Sequence, residues 1–156
     1  MTTQTVPELG QMAPDFRLRG PGGSWHTLSE HRGHSPVVLV FFPLAFSPVC
    51  SHQLPAIERL MGRIRPLGAE VLGVSVDSHY ANSAFAERLG LSFPLLSDFK
   101  REVSVAYGML IESAGYSGRA LFVVDRDGRI AYRDISPVTS RIPDNEALLA
   151  ALERLK

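Results

Sequence analysis

The stretch FFPLAFSPVC, at positions 41–50, contains the only cysteine of the 156-residue chain. Ser47 is a residue type favoured at the N-cap of a helix, and Pro48 is a type favoured at the first helical position. Cys50 then falls at the third helical position, where unpaired backbone N–H groups and the helix dipole stabilise an anion. We therefore expect a lowered thiol pKa and a larger fraction of the nucleophilic thiolate. The Ser47 hydroxyl, one turn away, could donate a hydrogen bond to the sulfur or to a bound oxygen.

The alternative is that Cys50 is a buried structural residue, because free cysteine is among the most buried residue types. Its position argues against this interpretation. It follows a strongly apolar segment and opens a predicted helix, and ligands of open α/β sheets bind where strands end and helices begin.

Hydrophobic patterns predict the elements that position this cysteine. Residues 37–42 are apolar at every position, which is typical of a strand covered on both faces. Residues 48–65 repeat apolar side chains at spacings of three and four, which predicts a helix that Pro55 should kink or interrupt. Residues 71–76 form a second apolar strand. Strand, helix and strand together make a parallel crossover unit.

The remaining elements follow from turn residues and from shorter patterns. They are a hairpin over residues 14–28 with its turn at 20–23, a helix over 78–89, a loop over 93–98, a short helix over 101–107, a strand over 120–124, a turn at 125–128, a strand over 129–134, and a helix over 145–155 that Asp144 caps. This order predicts an α/β protein with the thioredoxin fold and an N-terminal β-hairpin, in one domain spanning residues 1–156.

Composition narrows the function classes. The formal net charge is zero, which gives no electrostatic reason to expect nucleic acid or an anionic membrane as a partner. The longest apolar run is too short to cross a bilayer, and the N-terminus lacks a secretion signal. A lone cysteine cannot form an internal disulfide, so we expect a cytoplasmic protein. We expect no metal and no cofactor, because the histidines lack matched ligand spacing.

The segment 43–50 resembles the peroxiredoxin signature, which is a proline, three residues, a threonine or serine, two residues and a cysteine. The wider string FFPLAFSPVCSHQL is similar to the one-cysteine peroxiredoxins of the alkyl hydroperoxide reductase E type. Residues 10–16, 93–98 and 118–125 are also similar to that family.

The resemblance implies a thiol peroxidase. The Cys50 thiolate would attack the terminal oxygen of a peroxide, expel water or alcohol, and become a sulfenic acid. Ser47 would hydrogen-bond the peroxide, and Pro43 would shield the sulfur. Arg119 would lie beside the thiolate and lower its pKa. No spacing argument places Arg119 there, and the alternative is a solvated arginine at the end of a strand.

We assign contacts with the substrate to Val49, Phe46 and Gln53, which surround the cysteine in sequence. The family often has glutamate at the position of Gln53. Helical spacing puts Gln53 on the same side as Cys50, and the alternative is a polar residue on the helix surface.

The single cysteine also implies the partners. No resolving cysteine exists in this chain or in an identical copy, so an external thiol would reduce the sulfenic acid: thioredoxin, a glutaredoxin-like protein or a low-molecular-weight thiol. The resemblance implies a homodimer or a larger homo-oligomer. A thiol–disulfide oxidoreductase would need a second cysteine where Ser47 stands. A redox-sensing or partner-binding module without efficient turnover stays open.

Overall fold

The computed structural model describes residues 4–48 and 50–156, with the backbone alone at Cys50. The strands are β1 (Arg17–Arg19), β2 (Trp25–Thr27), β3 (Val37–Phe41), β4 (Glu70–Ser75), β5 (Leu95–Ser97), β6 (Leu110–Ile111), β7 (Tyr116–Ser117), β8 (Ala120–Val124) and β9 (Ile130–Ile135). The α-helices are α1 (Cys50–Ile64), α2 (His79–Leu89), α3 (Glu102–Ala106) and α4 (Asn145–Arg154), and 3₁₀ turns cover Pro21–Gly23, Leu28–His31 and Arg65–Leu67.

One sheet contains seven of these strands, in the order β2-β1-β5-β4-β3-β8-β9. Strands β3, β4 and β5 are parallel, whereas β8 pairs antiparallel with β3 and β9 pairs antiparallel with β8. The predicted crossover unit and C-terminal hairpin are thus confirmed. The N-terminal hairpin is also present, and it extends the same sheet through an antiparallel contact between β1 and β5.

Strand β3 lies at the centre of the core, because both of its faces are covered. Val38 and Val40 pack with Leu54, Ile57 and the apolar side of α4 on one face of the sheet. Val37, Leu39 and Phe41 pack on the other face of the sheet in a separate cluster, because successive side chains of a strand point to opposite faces. Full burial of each such side chain contributes about 1.5–3 kcal/mol to folding.

Three expectations about secondary structure are corrected. The predicted loop over residues 93–98 contains β5, whose Leu95 pairs with Gly73 of β4; three residues are too few to show a periodic pattern. The unassigned stretch before Arg119 contains the β6–β7 ribbon. Pro55 does not interrupt α1, which continues to Ile64, since burial of the nearby Leu54 and Ile57 offsets the missing hydrogen bond.

Asp98, which directly follows β5, supports the start of α3 and gives a prediction about pH. Its carboxylate is buried and accepts the backbone N–H groups of Val103 at 3.1 Å and Ser104 at 2.6 Å. Burial raises the pKa of this carboxyl above 3.8, although the two hydrogen bonds oppose that shift. The folded state therefore binds the proton more tightly than the unfolded chain, and stability falls as the pH rises through the folded-state pKa.

Asp98→Asn should remove this pH dependence and weaken the cap by about 1 kcal/mol. The test is the melting temperature of both proteins across the acidic range. A difference in melting temperature between the two proteins that is the same at every pH would contradict the prediction.

Candidate active site

The segment between β3 and α1 contains the predicted catalytic residues. The ladder with β4 continues to Phe42, whose N–H donates to the Val74 carbonyl at 3.1 Å, and it ends at Pro43, which has no N–H to donate. The chain then turns, and the Ser47 carbonyl accepts the N–H of Ser51 at 3.0 Å, as an N-cap carbonyl does. Helix α1 nevertheless begins at Cys50, so Cys50 is its first residue and the predicted third helical position is corrected. Cys50 still belongs to the first turn, where the helix dipole favours an anion.

The Ser47 hydroxyl is placed differently from the expectation. It donates to the Leu44 carbonyl at 2.9 Å, so its proton is directed back into the turn and not toward the start of α1. The cause is the tightness of the turn, in which the Ser47 N–H reaches the same carbonyl at 3.4 Å. The oxygen lone pairs of this hydroxyl are still available as acceptors.

Phe46 occupies a strained position in this turn. Its φ is +66°, in the left-handed region that disfavours a bulky side chain. Its ring lies 4.9 Å from the ring of the buried Phe85, and about half of the side chain (49%) is exposed. Packing against Phe85 offsets a strain of about 1–2 kcal/mol. This contact turns the ring toward α2.

Arg119 directly precedes β8, and strand register brings it to the start of α1. Ala120 pairs with Phe41, so the residue before β8 lies beside the residues that follow β3. Arg119 is only 2% exposed, its Nη1 donates to Gln53 Oε1 at 2.7 Å, and its Nε donates to the Thr139 carbonyl. The alternative of a solvated arginine is therefore wrong.

Gln53 is buried as well, at 1% exposure, so the alternative of a helix-surface residue is also wrong. Its Oε1 accepts from Arg119, while its Nε2 is buried without a hydrogen-bond partner among the described atoms. An amide N–H in that state costs about 1–3 kcal/mol unless a ligand or a neighbouring group accepts from it. The free donor therefore indicates a place for an electron-rich atom.

A pocket of about 200 Å³ opens beside Arg119. It is lined by Pro43, Leu44, Ser47, Pro48, Tyr116, Arg119, Thr139 and Ser140. The structure therefore brings the predicted residues Pro43, Ser47 and Arg119 together. Phe46 does not line the pocket, and Gln53 reaches it only through its hydrogen bond to Arg119. Val49 and the side chain of Cys50 lie outside the described residues. The backbone of Cys50 begins α1, adjacent to this pocket in sequence.

Sequence reasoning missed several residues in or near this pocket, namely Leu44, Tyr116, Thr139, Ser140 and Asp77. Thr139 lies in an irregular stretch after β9 and offers only its carbonyl to Arg119, which no side-chain pattern could reveal. Asp77 lies beyond the end of β4 and accepts the N–H of Ala45 at 2.8 Å. An acidic residue at the carboxyl end of a central parallel strand is the signal that could have found it.

The arrangement suits chemistry that develops negative charge. The guanidinium of Arg119, which lines the pocket, and the nearby start of α1 both lower the energy of an anion there. Within residues 4–48 and 50–156 no three His, Cys, Asp or Glu side chains are grouped to hold a metal ion. None of the described helices has the length and apolar character needed to cross a membrane.

Comparison with known proteins identifies the family to which the chain belongs. Residues 9–133 match the AhpC/TSA family. Alkyl hydroperoxide reductase E of Mycobacterium tuberculosis is 39% identical over 129 residues, covering 81% of this chain and 84% of that protein. The chloroplastic 2-Cys peroxiredoxin BAS1 of Arabidopsis thaliana is 34% identical over 141 residues, covering 84% of this chain and 53% of that protein.

The solved structures agree. The crystal structure of peroxidoxin BcpB from Mycobacterium tuberculosis superposes with a TM-score of 0.86 at 27% identity, covering 96% of this chain and 99% of that one. AhpC of the same organism gives a TM-score of 0.85 at 29% identity, covering 97% and 94%. These structures share the thioredoxin-like sheet and helices, so the predicted fold class is confirmed. By family, fold and site, the chain belongs to the AhpC/TSA family and is a peroxiredoxin, an oxidoreductase that reduces peroxides.

Proposed function

We propose that this peroxiredoxin reduces hydrogen peroxide and organic hydroperoxides by a one-cysteine cycle in which an external thiol regenerates Cys50. The observation that carries the proposal is the buried Arg119, delivered by β8 to the first turns of the helix that Cys50 begins. The sequence supports the second half, because the chain has no other cysteine.

In the oxidation step, the Cys50 thiolate attacks the terminal peroxide oxygen. The S–O bond forms as the O–O bond breaks, and the leaving oxygen takes up a proton as water or alcohol. Arg119 stabilises the charge that moves from sulfur to the leaving oxygen. Gln53 would hold the guanidinium of Arg119 in place for this role, because its Oε1 accepts from Arg119 Nη1.

In the reduction step, a thiol attacks the sulfenic sulfur, water leaves and a mixed disulfide forms. A second thiol then releases Cys50 and takes the disulfide away. The donor is thioredoxin, a glutaredoxin-like protein or a low-molecular-weight thiol. Without a donor, further peroxide would carry the sulfur to the irreversible sulfinic and sulfonic states.

The other assigned residues have supporting roles. Pro43 is buried at the pocket wall, where it limits water access to the sulfur. The Ser47 hydroxyl oxygen would accept a hydrogen bond from the peroxide O–H. Alternatively, the hydroxyl would give up its bond to the Leu44 carbonyl and donate to a peroxide oxygen. Val49 and Phe46 flank the cysteine and would contact the organic part of a larger substrate.

The setting of the enzyme is part of the same proposal. One domain spanning residues 1–156 would act in the cytoplasm as a homodimer or a larger homo-oligomer. Sedimentation of the purified protein over a concentration series tests the assembly, and a sedimentation coefficient that stays at the monomer value would contradict it.

The deciding experiment mixes reduced protein with one equivalent of hydrogen peroxide, and separately with an organic hydroperoxide. Rapid-quench sampling follows the reaction, and mass spectrometry measures the oxidised fraction of Cys50 and identifies the product. Oxidation many orders of magnitude faster than that of free cysteine, followed by turnover with one of the three thiol donors, supports the proposal. Fast oxidation without turnover would instead support a redox-sensing or partner-binding module.

The neutral Gln53 gives a prediction of its own. Gln53→Glu places a carboxylate one helical turn from Cys50, and a nearby negative charge disfavours the thiolate. We expect the thiol pKa to rise by roughly one unit, so that the rate of oxidation reaches its plateau at higher pH. The measurement is the oxidation rate as a function of pH.

Gln53→Met serves as the matched control, because it keeps the approximate size of the side chain and adds no charge. A pKa that rises as much in Gln53→Met as in Gln53→Glu would refute the electrostatic explanation.

A further inference from the structure

The backbone of the loop that precedes α1 is fixed by a side chain from the neighbouring strand end. Asp77 lies two residues beyond β4, and its Oδ2 accepts the backbone N–H of Ala45 at 2.8 Å. The same oxygen accepts the hydroxyl proton of Ser75 at 2.7 Å. Hydrogen bonds to an ionised carboxylate are stronger than bonds between neutral groups, so this oxygen is an effective anchor for Ala45.

Asp77 is itself held in place. Its carbonyl accepts the Ser97 hydroxyl at 2.7 Å, and its N–H donates to Ser75 Oγ at 3.3 Å. Ser75 is fully buried at the end of β4, and Ser97 is buried at the end of β5. The anchor is therefore connected to two strands of the central sheet, and the loop adopts its position relative to them.

The anchored atom lies where the loop needs support. Ala45 stands between Pro43 and Ser47, both of which line the pocket, and it immediately precedes Phe46 with its φ of +66°. A residue in the left-handed region persists only when its surroundings hold it there. The hydrogen bond to Asp77 on one side and the Phe85 contact of the Phe46 ring on the other supply that support.

We propose that Asp77 is a positioning residue for the peroxide reaction. It does not touch the substrate. Its carboxylate fixes the backbone at Ala45, and through that backbone it sets where the first turn of α1 and Cys50 lie relative to Arg119. The inference rests on the function proposed above.

The test compares wild type, Asp77→Asn and Asp77→Ala for the second-order rate of oxidation by hydrogen peroxide, measured by stopped flow over a range of pH. Asparagine keeps an acceptor of the same size without the charge, whereas alanine removes it. We expect the rate to fall about tenfold for Asp77→Asn and about a hundredfold for Asp77→Ala, as a displacement near 1 Å can cause. We also expect the pH midpoint of the reaction to rise, because the thiolate then lies farther from the positive charge of Arg119.

The matched control is Asp144→Ala. The Asp144 carboxylate also accepts backbone N–H groups, from Glu146 at 3.0 Å and Ala147 at 3.3 Å, but it does so at the start of α4. This variant should lose thermal stability while keeping the wild-type rate and pH midpoint. A similar rate loss in Asp144→Ala would mean that general destabilisation explains the result, and it would overturn the inference.

The remaining outcomes are also decisive. A wild-type rate and pH midpoint in Asp77→Asn and Asp77→Ala would overturn the positioning role and leave the peroxidase proposal intact. If Asp77→Ala does not fold, Asp77→Asn alone decides the question, since its side chain has the same shape. If the wild type reacts no faster than free cysteine, the proposed function fails first, and the inference fails with it.

Discussion

Cys50→Ser is expected to abolish peroxide consumption and to leave the fold intact. A serine hydroxyl is not ionised near neutral pH, and it cannot form the sulfenic acid on which the cycle depends. No other cysteine can take over, since the chain contains only one. The measurements are peroxide consumption in the presence of a thiol donor, and the melting temperature of the variant beside that of the wild type.

Cys50→Ala is the companion variant, because it separates loss of the sulfur from any effect of a new hydroxyl at the helix start. Both variants should consume peroxide no faster than the thiol donor alone. Substantial turnover by the serine variant would refute the mechanism, whatever its melting temperature.

Arg119→Ala is expected to slow oxidation by about 10²–10³-fold, which is the usual effect of removing one donor to a developing negative charge. It should also raise the thiol pKa, because a positive charge that favours the thiolate is lost. The rate should then increase with pH over a range where the wild-type rate is already constant. Stopped-flow oxidation as a function of pH measures both effects.

The structure offers a more exposed arginine for comparison in this experiment. Arg133 lies on β9, and its Nη1 donates to the Pro7 carbonyl at 2.9 Å, so Arg133→Ala also removes an arginine that bonds a backbone carbonyl. That control should keep the wild-type rate. Arg119→Lys restores the charge without the two-pronged geometry and should recover part of the rate. An unchanged pKa in Arg119→Ala would remove this residue from the site.

The sequence predicts the central elements well, because their patterns are long and unambiguous. The five apolar residues of β3 and the repeating apolar positions of α1 each allow one interpretation. Strand β5 escapes detection because it has only three residues, and its place in the sheet is set by pairing with β4. Short strands depend on their neighbours more than on their own composition.

The residues of the site likewise differ in how far the local sequence predicts their positions. Ser47 and Pro48 indicate that α1 starts close to Cys50, but they place its first residue at Pro48, whereas α1 begins at Cys50. The position of Arg119 follows from the antiparallel register of β8 on β3, which no local pattern expresses, so only resemblance could suggest it. The hydrogen bond from Ala45 to Asp77 likewise joins segments 32 positions apart.

The pairing of β3 with β8 also governs where this chain can change its length. Phe41 is opposite Ala120 at one end of that pairing, and Val37 is opposite Val124 at the other. One inserted residue within β8 would reverse which side chains face each side of the sheet, and Arg119 would leave the pocket. An insertion in the turn after β8, between Arg126 and Asp127, which are both exposed, would lie beyond the opposite end of the strand, where added residues are better tolerated. Natural length variation in such enzymes should therefore concentrate in that turn and be nearly absent between Arg119 and Val124.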